Sequence, residues 1–354
     1  MSLASIKRRH TRAVRVGNLT IGGDAMISIQ SMTKTDTRDV DATVNQIEEL
    51  ARAGCDIVRV AVSDMEAAEA FGKIRERSSL PLVADIHFDY RLALKVIELG
   101  ADKLRINPGN IGSKERIRKL VEAAAARNVP IRIGVNAGSL EKRLLEKYRG
   151  PTAEAMIESA ADNVRLLEDL DFFDIVVSLK AFDVLTTLKA YQIFSDEFDY
   201  PLHVGITEAG TLETGAIRSS VGIGAILLNG IGDTIRVSLT GPPSKEVDVG
   251  YEILRSLNLR QRGPTIVSCP TCGRCEMNIP QIAQIVTEKT RHIEKPIKIA
   301  IMGCVVNGPG EAKDADIGIA GGRGVALLFK AGEPIRKIRE ENVVEELLAE
   351  IEAL

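Results

Sequence analysis

The sequence predicts an α/β chain: a (β/α)8 TIM-type barrel followed by a smaller α+β domain. Three observations carry that expectation. Short β-rich segments alternate with longer helical ones up to about residue 260, as parallel strands joined by helical crossovers require. Eight such units fit in that span, which is the count of a closed barrel. The G-x-G-x-x-G turn that would favour a doubly wound open sheet is missing after the first strand.

The elements follow in order. A small hairpin is expected first, Arg12–Val16 and Leu19–Ile21 about a turn at Gly17-Asn18. The eight barrel strands are Ala25–Ser31, Ile57–Val62, Leu82–Ile86, Lys103–Asn107, Ile131–Asn136, Ile175–Lys180, Leu202–Ile206 and Thr234–Leu239. Helical stretches between them include Val40–Ala53, Lys114–Arg127, Thr152–Leu170 and Val184–Phe198, with capping signals at Ser63-Asp64 and Thr152. The long stretch from Ala137 to Pro151 reads either as a lid or as helical padding. Gly263 and Pro264 then break the pattern, which places a barrel domain at 1–263 and a second domain at 264–354. In that second part the sequence predicts a strand Thr265–Ser268, a helix Ile279–Arg291 and a strand Ile297–Met302. Two short strand-like runs and a helix Glu341–Ile351 follow.

Composition excludes several classes of function. The chain has 354 residues, with 46 Lys+Arg against 49 Asp+Glu for a net charge of −3, too acidic for a general nucleic-acid binder. Trp is absent and aromatics make up 4%, which removes the stacking platforms of a single-strand binder. No apolar run approaches the ~20 residues of a membrane helix, and the basic N-terminus lacks the apolar stretch of a signal peptide, so a cytoplasmic location is expected. Four of the five Cys fall in the last quarter, which in a reducing compartment points to a metal centre rather than disulfides. Cys55 reads as an ordinary buried thiol and His292 as a solvated surface residue.

Candidate site residues gather toward the C-terminal ends of the barrel strands, where barrels of this type hold their chemistry. Asp85 and His87, Arg105 and Asn107, Ser178 and Lys180, and Arg236 and Ser238 are spaced by two, so each pair shares a strand face. Arg59, Arg132, Asn136, His203, Thr207 and Glu208 complete the set. Five cations (Arg59, Arg105, Arg132, Lys180, Arg236) here face two carboxylates (Asp85, Glu208). An unpaired buried charge costs several kcal/mol, so the surplus calls for an anionic ligand, with phosphate or diphosphate the natural class. Backbone N–H groups of the turn from Asn107 to Gly112 are further candidate donors.

Cys269, Cys272 and Cys275 form C-x2-C-x2-C, and Cys304 follows in a Gly/Pro-rich stretch. Thiolates so spaced bind one metal centre, but the spacing alone leaves zinc and iron–sulfur open.

These motifs carry a specific likeness. Ala84-Asp85-Ile86-His87-Phe88, Arg105-Ile106-Asn107-Pro108-Gly109-Asn110-Ile111-Gly112, His203-Val204-Gly205-Ile206-Thr207-Glu208-Ala209-Gly210, Ser268-Cys269-Pro270-Thr271-Cys272-Gly273-Arg274 and Gly303-Cys304-Val305-Val306-Asn307-Gly308-Pro309-Gly310-Glu311 stand in that order. The chain resembles, end to end, the bacterial two-domain 4-hydroxy-3-methylbut-2-en-1-yl diphosphate synthase family of the non-mevalonate isoprenoid pathway. The resemblance implies an iron–sulfur oxidoreductase whose substrate is 2-C-methyl-D-erythritol 2,4-cyclodiphosphate, opened reductively with loss of water. It implies a [4Fe–4S] cluster on Cys269, Cys272, Cys304 and Glu311, leaving Cys275 a bystander, and Asn307 near the substrate. Glu208 is then the first candidate for a proton-bearing catalytic group, followed by Asp85, His87 and His203. A flavodoxin or ferredoxin donor and a homodimer, with one subunit's cluster domain closing over its partner's barrel, are also implied. The competing readings are a barrel enzyme on another phosphorylated substrate with a structural zinc domain, and a non-enzymatic metal module whose barrel senses a ligand.

Overall fold

The computed structural model describes residues 6–304, 310 and 313–354. The chain divides into two compact units, the first ending at Arg260 and the second running from Gln261 to Leu354. A hairpin of β1 (Val14–Val16) and β2 (Leu19–Ile21) opens the first unit. Eight parallel strands follow: β3 (Ser28–Met32), β4 (Ile57–Ala61), β5 (Leu82–Asp85), β6 (Lys103–Ile106), β7 (Ile131–Asn136), β8 (Ile175–Lys180), β9 (His203–Val204) and β10 (Thr234–Ile235). Neighbours pair in chain order from β3 to β8, and β10 pairs with both β3 and β9. A parallel bridge between Val177 and Leu202 joins β8 to β9 and closes the ring. The TIM-type barrel is the observed architecture.

Local chemistry explains the helices around it. Asp39, Asp64, Thr152 and Asp183 each accept a hydrogen bond from a backbone N–H of the first turn they cap: α1 (Val40–Arg52), α2 (Met65–Arg77), α7 (Ala153–Glu168) and α8 (Val184–Glu197). The shell is completed by α3 (Tyr90–Glu98), α4 (Pro108–Ile111), α5 (Lys114–Ala126), α6 (Lys142–Tyr148), α9 (Leu212–Leu228) and α10 (Pro243–Ser256). The 137–151 stretch is helical padding: α6 buries Leu144 in the barrel core, and Tyr148 donates to Glu158 of α7 at 2.5 Å. Val16 and Ile21 of the hairpin pack on Ile57 and Val83, plugging the N-terminal end of the lumen with apolar side chains.

The ladders of β9 and β10 are shorter than the sequence predicts. They end at Val204 and Ile235, so Thr207, Arg236 and Ser238 stand beyond the strand ends.

The second unit is a five-stranded sheet in chain order: β11 (Pro264–Ser268), β12 (Ile297–Met302), β13 (Ile317–Gly322), β14 (Val325–Lys330) and β15 (Glu333–Arg339). The first three are parallel and the last two antiparallel. Ile297, Ile299, Ile301, Ile317 and Ile319 alternate onto one face, where α11 (Ile279–Lys289) and α12 (Val343–Glu352) bury Ile282, Val286, Leu347 and Ile351 against them. Three strands, not two strand-like runs, precede the last helix. The additional one, β15, is an edge strand exposed along most of its length, and so lacks the apolar alternation that marks a buried strand. No helix among the described residues is long and apolar enough to cross a membrane.

Candidate active site and metal centre

Strand periodicity turns a set of polar side chains into the barrel lumen. Arg105 donates from Nη1 to Asp85 Oδ1 at 3.1 Å and lies 3.2 Å from a ring nitrogen of His87. Arg59 approaches the other Asp85 oxygen at 3.5 Å and also donates to the Met32 sulfur. Burial by itself would lift the Asp85 carboxyl, but Arg59 and Arg105 outweigh it and hold the group below the usual carboxylate range. Burial pulls Arg59 down to about 10, partly offset by Asp85, so it stays charged at neutral pH. Gly134 leaves room for this arrangement: a Cβ there would fall 2.4 Å from Arg105 Nε.

The next strands add cations without counter-ions. Arg132 is 1% exposed, and its Nε and Nη1 have no partner. Lys180, at the C-terminal end of β8, is buried as well. Burial and mutual repulsion lower the proton affinity of both well below normal. His203 is fully buried with both ring nitrogens unpartnered, and burial, reinforced by Lys180, Arg132 and Lys103, holds it neutral. Half-buried Asn136 ends β7 and faces the same side as Arg132. Asn107 is committed locally, its side chain accepting from Gly109 N–H at 3.3 Å as the cap of α4.

Two features depart from the charge count made on the sequence. Glu208 is exposed at the rim, in a left-handed conformation with φ 53°, and is not the carboxylate buried among the cations. That carboxylate is Glu246 of α10, 1% exposed, which accepts from Arg236 at 3.4 Å, Ser31 at 2.9 Å and Leu239 N–H at 3.2 Å. Lys34 approaches it at 3.3 Å. The second feature is Lys103, fully buried with an unpartnered Nζ two residues before Arg105 on the same face. Period-2 spacing from Arg105 is the signal that marks it. Seven cations, Lys34 included, therefore serve this region against Asp85 and Glu246, and the positive surplus survives the correction. Ser238 and Thr207 are half-buried near the same ends.

In the second unit, parallel pairing of β11 with β12 sets Ser268 beside Ile301, so the chains leaving both strands emerge together. One carries Cys269, Cys272 and Cys275; the other carries Gly303 and Cys304. Thr271, at φ 53°, turns the first loop, and Cys275 N–H closes it onto Cys272 O at 2.8 Å. Gly303 N–H donates to Cys269 Sγ at 3.2 Å, and Gly303 O accepts from Glu276 N–H at 3.1 Å. All four cysteines line one pocket of about 140 Å³ with Pro270, Arg274, Met302 and Gly303, roughly ten times the space one water needs. Among the described residues no three His, Cys, Asp or Glu side chains converge as ligands of a single ion. Soft sulfur donors gathered on one pocket match the chemistry of a thiolate-held metal centre. Asn307 and Glu311 lie outside the described residues. Cys55 is buried elsewhere, donating to Ile57 O, with burial pushing its thiol up to about 12.

Comparison with known proteins places this geometry in a family. Residues 11–251 match the GcpE TIM-barrel domain and residues 265–353 the GcpE protein C-terminal domain. A Geobacter sulfurreducens protein named 4-hydroxy-3-methylbut-2-en-1-yl diphosphate synthase (flavodoxin) is 59% identical, the match covering 97% of this chain and 98% of that one. A Caldanaerobacter subterraneus protein of the same name is also 59% identical, covering 98% of each. Among solved structures, N-acetylneuraminic acid synthetase from Leptospira borgpetersenii superposes with a TM-score of 0.52 at 14% identity, over 71% of this chain and 91% of that one. That likeness speaks for the barrel fold alone. The two domain matches and the near-full-length identity establish that the chain belongs to the GcpE family.

Proposed function

We propose that this chain catalyses the reaction named for its relatives, forming 4-hydroxy-3-methylbut-2-en-1-yl diphosphate from 2-C-methyl-D-erythritol 2,4-cyclodiphosphate. Two electrons and two protons enter, the ring C–O bond to the diphosphate breaks, and a hydroxyl leaves as water. The observation that carries the reading is the surplus of lumen cations, which a cyclic diphosphate dianion offsets in part.

Arg59, Arg105, Arg132, Lys180 and Arg236, with Asn136 and Ser238, grip the diphosphate and offset the charge it gains as the ring opens. Asp85 fixes the Arg59 and Arg105 forks, and Glu246 does the same for Arg236. With its carboxyl held ionised, Asp85 serves better as a positioning anion than as an acid. Exposed Glu208 is the first candidate to deliver a proton to the departing oxygen; His87, whose ring lies 3.2 Å from Arg105 Nη1, is the second. Neutral His203 and the hydroxyl of Thr207 offer hydrogen bonds to the bound ligand. Asn107 acts through the turn it caps, and Asn307 orients the substrate.

Cys269, Cys272, Cys304 and Glu311 would hold a [4Fe–4S] cluster, with Cys275 outside the ligand set. When bound, such a cluster supplies electrons singly and a Lewis-acidic iron. Flavodoxin is the donor in the relatives' names, and flavodoxin or ferredoxin is the donor proposed here. A homodimer is also proposed: Ile217, Val221 and Leu228 share one face of α9, each more than half exposed, as a subunit contact needs. A cytoplasmic location accords with these readings.

The test is turnover under anaerobic conditions with chemically reduced flavodoxin. Product formed from the cyclodiphosphate supports the reading; substrate binding without turnover in cluster-loaded protein contradicts it.

A further inference from the structure

Cys275 is the one pocket cysteine that the proposed ligand set leaves unused, yet it shares its backbone neighbour, Gly303, with Cys269. A Cβ added at Gly303 would lie 2.4 Å from Cys275 Sγ and 3.2 Å from Cys269 Sγ. The two sulfurs are thus no farther apart than those two distances together. Cys269 Sγ is held by Gly303 N–H, and Cys275 Sγ donates only a weak bond to Met277 O at 3.1 Å. The loop between them already doubles back at Thr271 and closes through Cys275 N–H. Both side chains are partly exposed. A loop this short costs little entropy to close to an S–S distance of about 2.05 Å.

We propose that Cys275 is a resolving cysteine for Cys269, pairing with it as a disulfide when the pocket has lost its iron. Both S–H bonds break and one S–S bond forms. The two protons and two electrons released are taken up by dioxygen, which becomes hydrogen peroxide. The pairing shields Cys269 from irreversible sulfinic and sulfonic oxidation. A small dithiol reductant restores both thiols by exchange, leaving the pocket ready to be reloaded. The protective consequence rests on Cys269 being a cluster ligand; the pairing itself does not.

The full chain is stripped of metal with a chelator under anaerobic reducing conditions, freed of reductant and exposed to air. Thiols are then blocked and peptides mapped by mass. The expected product is lighter by two hydrogens, carries a Cys269–Cys275 link, and reverts with dithiothreitol. Cys275→Ser, checked for native circular dichroism, is expected to show several-fold more sulfinic and sulfonic acid at Cys269. After reduction and reconstitution, a smaller fraction of its chains should regain visible absorbance. A dominant link from Cys272 or Cys304, or equal over-oxidation of Cys269 in both proteins, overturns the proposal. Failure of the proposed function would appear separately, as absent turnover in anaerobically loaded protein, and would leave this peptide map unchanged.

Discussion

Arg105 and Asp85 face each other across adjacent barrel strands at 3.1 Å, each side chain less than a tenth exposed. Asp85 also receives Arg59 at 3.5 Å, so one carboxylate orders two guanidinium groups of the lumen. Arg105 also donates from Nη2 to Gly134 O at 3.3 Å, and Arg59 to the Met32 sulfur.

Asp85→Asn keeps the shape and removes the charge. Both arginines then lose their buried counter-ion, which is expected to cost about 3–5 kcal/mol of stability. Denaturant unfolding under anaerobic conditions checks this, and a loss under about 1 kcal/mol would mean that solvent neutralises the arginines instead.

Lys180→Met should move stability and binding in opposite directions. Removing a buried cation relieves desolvation and repulsion, so the ligand-free protein is expected to melt higher. A lost charge-assisted hydrogen bond of about 1.5–3 kcal/mol weakens cyclodiphosphate binding roughly tenfold to a hundredfold. Thermal unfolding with and without substrate reads both effects. A lower melting temperature in the free protein would assign Lys180 a structural role.

The acid limb of stability should carry the mark of His203. Its proton affinity in the fold is depressed, so its contribution is complete above its ordinary value near 6.5 and is lost as pH falls below it. In that window the unfolded chain binds the extra proton, giving a slope of up to about 1.4 kcal/mol per pH unit. Asp85 titrates lower, since its carboxyl is held below the usual range. His203→Asn is expected to flatten the profile between about pH 5 and 6.5, as followed by denaturant midpoints. An unchanged slope would show that the ring is protonated in the fold.

Cys275→Ser and Glu311→Ala separate bystander from ligand. Protein purified without oxygen should keep its iron and sulfide in the first variant and lose catalytic competence in the second. The reverse pattern, with Cys275→Ser losing the cluster while Glu311→Ala keeps it intact, would make the fourth ligand a thiolate.

Much of this was legible in the sequence because parallel barrel strands are buried on both faces. Ile131–Asn136 and Ile175–Lys180 read as strands over their whole lengths. Arg132 within the first and Lys180 at the end of the second stood out against that apolar background. Glu246 was not legible: it sits on α10, and its link to Ser31 spans 215 positions that no local pattern encodes. Glu208 follows β9 closely in sequence, but nothing local shows that its backbone turns left-handed and leaves it exposed. Lys103 was available from its spacing to Arg105. The cysteine pocket was half legible: the C-x2-C-x2-C run announces metal, whereas Cys304 joins it because β11 and β12 run parallel.

The central claim, reductive chemistry at an iron–sulfur cluster, is tested most directly by counting metal in protein purified without oxygen. Iron, acid-labile sulfide and zinc per chain are measured, and visible spectra are taken before and after dithionite. About four iron and four sulfide with a band that bleaches on reduction are the expected result. Stoichiometric zinc with no sulfide would contradict the redox mechanism while leaving the cationic barrel site in place.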